Sequence, residues 1–145
     1  MRSSESPLKL LELAESLVAF GKVKGADEVE ISIVDGYEFS VDVRLGEIEN
    51  LVEAGSRSLG LRVIKDKKTA YAFSSDLSTE TLQRLVTNAV ERASLASFDE
   101  YSGLPPLSTG ITDGSYLKLF DPAIAELDSQ KKINLALETE KSALE

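Results

Sequence analysis

The sequence predicts an α+β fold: an antiparallel β-meander with helices packed on one face, a two-layer sandwich, and a C-terminal helical arm. Three observations predict it. Residues 8–20 and 82–93 carry helical apolar spacing. Between them, from residue 28 to residue 74, the apolar period falls to two. The strand-like runs are joined by short turn signals with no helix between them, which demands antiparallel neighbours.

Ser6-Pro7 offers a capping hydroxyl and a proline suited to the first helical position. Leu8, Leu11, Leu13, Leu17, Val18 and Phe20 then form a broad apolar face, and Gly21 or Gly25 can end the helix. Val29, Ile31 and Ile33 alternate with Glu28, Glu30 and Ser32 as a half-buried strand does. Asp35-Gly36 is a hairpin signal, with Tyr37, Phe39, Val41 and Val43 on the returning strand. Leu45-Gly46-Glu47 reads as a second turn, leading into a strand through Ile48 and Leu51.

Leu59, Leu61 and Val63 alternate with Ser58, Gly60 and Arg62, and Gly60 marks a bulge or a close backbone approach. Lys65-Asp66-Lys67-Lys68 is a charged turn. Residues 69–74 follow as a strand, with Tyr71 and Phe73 expected in the core. Ser78 should cap a long helix, with Leu77 and Leu82 as a hydrophobic staple. Leu82, Leu85, Val86, Ala89, Val90 and Ala93 make its stripe. Residues 97–115, rich in Ser, Gly, Pro and Thr, read as a linker or irregular arm. A final helix starts near Ser129 with Ile133, Leu137 and Leu144 on one side, and the chain stops inside that pattern, as a cut chain would. The expected division is 1–96 as an α+β domain and 97–145 as linker and helical arm.

Composition removes whole classes of function. A net charge of −9 opposes any phosphate backbone, so nucleic-acid binding is not expected. With no Cys there is no disulfide, thiol nucleophile or thiolate metal site, and with no His there is no ordinary zinc site or Ser–His–Asp catalysis. No catalytic, metal or cofactor residue is therefore assigned, and the chain alone should not be a hydrolase. The N-terminus lacks the apolar core of a signal peptide, and no run is long enough to span a membrane, so a cytoplasmic location is expected.

Arg44-Leu45-Gly46-Glu47-Ile48-Glu49-Asn50 packs a cation, two carboxylates and an amide around a glycine. It reads either as a small polar site or as a hairpin turn with solvated flanks. Gly60 and Arg62 suggest an anion site, yet no Gly-rich loop leads into a helix there. Ser74-Ser75-Asp76-Leu77-Ser78 reads as a helix start, since no base is present to activate a serine.

Taken in order, several segments resemble one family. They are Ala26-Asp27-Glu28, Arg44-Leu45-Gly46-Glu47-Ile48-Glu49-Asn50-Leu51, Leu59-Gly60-Leu61-Arg62-Val63-Ile64 and Ala72-Phe73-Ser74-Ser75-Asp76-Leu77-Ser78. Asn88-Ala89-Val90-Glu91-Arg92-Ala93 and Tyr101-Ser102-Gly103-Leu104-Pro105 follow. The chain resembles the N-terminal domain of the TldD/PmbA family, also called modulators of DNA gyrase. The resemblance implies a cytoplasmic metallopeptidase system acting on peptides or unstructured protein segments. It also implies two related subunits, homo- or hetero-oligomeric, around an enclosed chamber.

The family's metal motif, a helix with two His and a Glu plus a later Cys, belongs to the C-terminal half. Any divalent metal, zinc above all, is expected there or in a partner subunit. Leu119-Phe120-Asp121-Pro122 and the Ser-led helix after it resemble the PmbA (TldE) branch, which typically lacks the metal ligands. On this reading Arg44, Glu47, Glu49, Asn50 and Arg62 are candidates for substrate or subunit contact. The alternative is a stand-alone module that captures extended peptide along a sheet edge, or a regulator of the gyrase-modulator type, with no enzymatic role.

Overall fold

A computed structural model gives the fold and describes residues 6–106, 115–119 and 121–145. Helix α1 (Pro7–Val23) is followed by strands β1 (Glu28–Arg44), β2 (Glu47–Lys65) and β3 (Lys68–Ser74). Helix α2 (Thr79–Leu95), a short 3-10 turn at Ser115–Leu117, and helices α3 (Pro122–Ala125) and α4 (Ser129–Leu144) complete the order. The strands form one sheet in the order β1-β2-β3, joined by two-residue turns that permit only antiparallel pairing. Leu59 pairs with Ser74, Leu61 with Ala72 and Val63 with Ala70. The α+β meander expected from the sequence is what forms.

Three strands stand where five segments were expected, because β1 runs straight through Asp35-Gly36. The carboxylate of Asp35 instead pairs across the ribbon with Arg57 Nη2 at 2.8 Å. A hairpin signal needs positive φ at its turn residues, and Leu45 (53°) and Gly46 (79°) supply that one turn later. The charged turn also behaves as expected, with Asp66 and Lys67 at φ of 50° and 58°.

The chain divides into two compact units, the first comprising Met1–Gly36 with Ser56–Pro106. Its core joins Leu59, Leu61 and Val63 of β2 and Ala72 of β3 to Leu82, Val86, Ala89, Val90 and Ala93 of α2. Leu17, Ala26 and Val29 close the cluster, and α2 packs on β3 while α1 packs on α2. The small side chains of Ala72, Ala89 and Ala93 suit the close helix–sheet approach. The α2 stripe is as expected, with Leu85 half-buried at its margin. In α1 the apolar face is narrower than expected, since Leu8 and Leu11 lie exposed while Leu17 carries the burial.

Helix α1 ends in a Schellman arrangement: Ala26 N–H donates to the Gly21 carbonyl and Gly25 N–H to that of Lys22. Gly25 takes the left-handed position, φ 94°, that this closure requires. Neither expected serine cap forms. Ser6 and Ser78 occupy the N-cap positions of α1 and α2 without a side-chain bond to the helix. Ser78 Oγ instead donates to Asp76.

Tyr71 and Phe73 correct a second expectation. They lie 57% and 76% exposed, on the opposite side of β3 from buried Ala72. Period two shows that a strand has two faces but not which one the helices cover. Gly60 sits in regular register opposite Phe73 with no bulge, and a Cβ there would meet the Phe73 ring at 3.5 Å. The aromatic ring thus covers the glycine across the ladder.

The second unit comprises Tyr37–Gly55 and Leu107–Glu145, that is, the far end of the β1–β2 hairpin and α4. Asp121 and Asp128 cap α3 and α4, each carboxylate accepting from a backbone N–H two residues on. Ser129, Lys132, Ile133, Ala136, Leu137 and Glu140 form the half-buried stripe of α4.

Candidate functional site

Of the five sequence-derived candidates, Arg44, Glu47, Glu49 and Asn50 fall together at the hairpin tip in the second unit, and Arg62 lies in the first. At the tip, Arg44 Nη1 meets Glu49 Oε1 at 3.4 Å, with side chains 71% and 57% exposed, so water screens most of the attraction. Asn50 Nδ2 donates to Asp42 Oδ2 at 3.2 Å, and Glu47 stays exposed beside the turn. Glu38, Asp42, Glu47, Glu49 and Glu53 against the lone Arg44 leave residues 37–55 strongly acidic.

The tip is held by residues that sequence reasoning missed. Both carboxylate oxygens of Glu140 accept hydrogen bonds from the turn, one from Leu45 N–H and one from Gly46 N–H, each 2.8 Å. Lys132 Nζ lies 4.9 Å from the Phe39 ring centroid and 5.7 Å from that of Tyr37. Tyr37 Oη donates to Glu53 Oε1 at 2.6 Å. The available signal was spacing: Lys132 and Glu140 sit at helical intervals on the stripe of Ile133 and Leu137.

Arg62 is a fastening rather than an open anion site. Its Nη2 donates to the Gly103 carbonyl at 2.9 Å and its Nη1 faces Glu30 Oε2 at 3.6 Å, while Nε is buried with no partner. Around it, Leu104 N–H donates to Glu28 Oε2, Lys67 Nζ donates to the Ser102 carbonyl, and the Ser102 and Thr69 hydroxyls bond to each other. Asp99 N–H donates to the Lys67 carbonyl, and Phe98 bridges Lys68. Residues 98–104, expected to be part of a linker or irregular arm, are irregular in backbone but tied to the strands. Side chains at β1, β2 and β3 positions hold them, which local periodicity does not reveal.

Asp76 carries the clear electrostatic perturbation among the described residues. Bonds from Ser78 N–H, the Thr81 hydroxyl and the Ser78 hydroxyl hold its carboxyl below the ordinary 3.8. This is a helix-start device: the carboxylate ties the first turn of α2 to the chain before it.

Among the described residues no three His, Cys, Asp or Glu side chains cluster to hold a metal. The donor set does not fit a peptidase zinc site, since the chain has neither His nor Cys. Among the described residues no helix is long and apolar enough to cross a membrane.

Comparisons with known proteins fit this picture. Residues 29–93 match the family model for PmbA/TldA metallopeptidase domain 1. The chain is 35% identical over 144 residues to Metalloprotease PmbA of Escherichia coli O157:H7, a match covering 97% of this chain and 31% of that protein. It therefore spans about a third of the length of this curated relative. A crystal structure of TldE from Thermococcus kodakarensis superimposes with a TM-score of 0.60 at 28% identity, over 89% of this chain and 30% of that one. A described candidate modulator of DNA gyrase from Bacteroides thetaiotaomicron VPI-5482 shares the fold at a TM-score of 0.75 and 20% identity, covering 88% of this chain and 29% of that one. The order of segments, the three-stranded meander packed with α1 and α2, and these matches make the chain similar to the first, N-terminal domain of PmbA/TldD-family proteins.

Proposed function

We propose that this chain is the non-catalytic N-terminal domain of a PmbA/TldD-type metallopeptidase component. On this reading it helps to enclose peptides or unstructured protein segments and to assemble subunits. The observation that carries the proposal is a contrast. The chain matches nearly end to end a third of a protein named a metalloprotease, yet it contains neither of the His and Cys ligands on which an ordinary zinc site is built. Hydrolysis then belongs elsewhere in the parent or in its partner. Zinc, if the system uses it, is held there, and no chemical step is assigned to these residues. The partner is a related subunit of the same family, and the compartment is the cytoplasm. The names of the relatives favour the PmbA/TldE branch.

In this role the hairpin tip is the contact element: Arg44, Glu47, Glu49, Asn50 and Leu45 are exposed at or beside a turn whose two N–H groups bond to Glu140. Arg62 acts indirectly, by fixing the segment at residues 102–104. The test is a triple Arg44→Ala, Glu49→Ala, Asn50→Ala variant of the full-length protein that carries this domain, assayed with its related subunit. Slower cleavage of an unfolded protein, with metal content unchanged, supports contact at the tip. Unaltered cleavage and unaltered subunit assembly refute it.

A further inference from the structure

The Leu45–Gly46 turn already holds a carboxylate. With both residues at positive φ, their successive N–H groups converge on Glu140, which receives one bond on each oxygen. Paired amides of this kind form a concavity for anions. The acceptor must offer two oxygens, because an amide in its place turns an NH2 toward one of the donors. Beside the turn, Gly46, Leu137 and Leu144 line an apolar hollow, whose wall also carries the cation of Lys141 and the carboxylates of Glu140 and Glu145. Donors for a carboxylate thus stand next to room for an apolar group.

We propose that the Leu45–Gly46 turn is a binding site for apolar carboxylates, the chemistry of a peptide's C-terminal end. Glu140 fills it in cis, so that its side chain is a latch which a competing carboxylate displaces. Capture of a chain terminus by backbone amides is a recurring recognition mode. The Lys132 ammonium over Phe39 and Tyr37 is a second fastening, independent of the latch, that keeps α4 in place when Glu140 lets go. The resident carboxylate competes at a high effective concentration, which sets the threshold a ligand must exceed.

The test follows the Leu45 and Gly46 amide resonances by NMR in the whole chain. Isocaproate, acetate and isocaproamide are titrated at constant ionic strength. In Glu140→Ala, isocaproate should shift both resonances saturably, acetate should require several-fold more, and isocaproamide should not shift them. The unsubstituted chain should need far more isocaproate than the variant. Equal response to acid and amide overturns the proposal, as does equal saturation in the two proteins or no saturable shift in the variant. Unchanged Leu61 and Val63 resonances report that the variant is folded, and Glu140→Gln, which keeps the side-chain volume, should respond as Glu140→Ala does.

Discussion

Gly21 of α1 faces Val29 of β1 so closely that a Cβ at position 21 would lie 2.8 Å from Val29 Cγ2. Val86 of α2 stands 3.3 Å away, so three elements meet at this one backbone position. Val29 and Val86 are β-branched and stiff, leaving little room to yield. Gly21→Ala should therefore destabilise by about 1–2 kcal/mol, overpacking outweighing the alanine's better helix propensity. Urea unfolding checks this, and a stabilised variant would show that the three elements pack less tightly than described.

Leu82 is fully buried and Leu85 only half-buried. Leu82→Ala should cost roughly 2–5 kcal/mol, and Leu85→Ala clearly less. Exposed Arg84 and Glu91 should change stability by no more than about 0.5 kcal/mol on replacement with Ala. Thermal or urea unfolding of the four variants ranks them, and a reversed order of the two leucines would assign the wrong face of α2 to the core.

The Asp76 carboxyl lies below its ordinary 3.8 because three donors favour its charged form. As pH falls toward that value the folded chain binds fewer protons than the unfolded chain, so the stability these bonds contribute is full above it and is lost below it. Asp76→Asn should thus be less stable than the unsubstituted chain at pH well above 3.8, and the gap should narrow as acid is added. Melting temperatures across an acid titration decide it. A gap that widens in acid would give the shift the opposite sign.

Arg62 ties residues 102–104 to the sheet through a planar fork reaching both Gly103 and Glu30. Lysine offers one point charge and cannot span the two acceptors. Arg62→Ala should cost about 1–3 kcal/mol, Arg62→Lys should recover only part of it, and both should speed hydrogen exchange at the Leu104 amide. Unchanged exchange at Leu104 would make the Glu28 bond sufficient by itself.

Legibility in the sequence followed the range of the forces involved. Helix α2 and the alternation of β1 and β2 were readable because an amphipathic period is written into consecutive residues. The Leu45–Gly46 turn was readable because glycine marks positive φ. Asp35-Gly36 misled because the same dipeptide serves a strand when Arg57 across the ribbon pairs with the aspartate. Tyr71 and Phe73 misled because the choice between two faces of a strand is made by where α2 lands. At the candidate site, the clustering of Arg44, Glu47, Glu49 and Asn50 was local and therefore visible. Glu140 is 95 residues from Leu45, so nothing in the sequence near the turn announces it.

The proposal that this domain serves a metallopeptidase without carrying its chemistry is tested by zinc analysis of the purified chain coupled to a fluorogenic peptide assay. After incubation with zinc and desalting, the chain should retain far less than one metal per molecule and hydrolyse the peptide no faster than buffer. Retention of one tightly held zinc together with peptide cleavage, abolished by a chelator, would overturn the proposal.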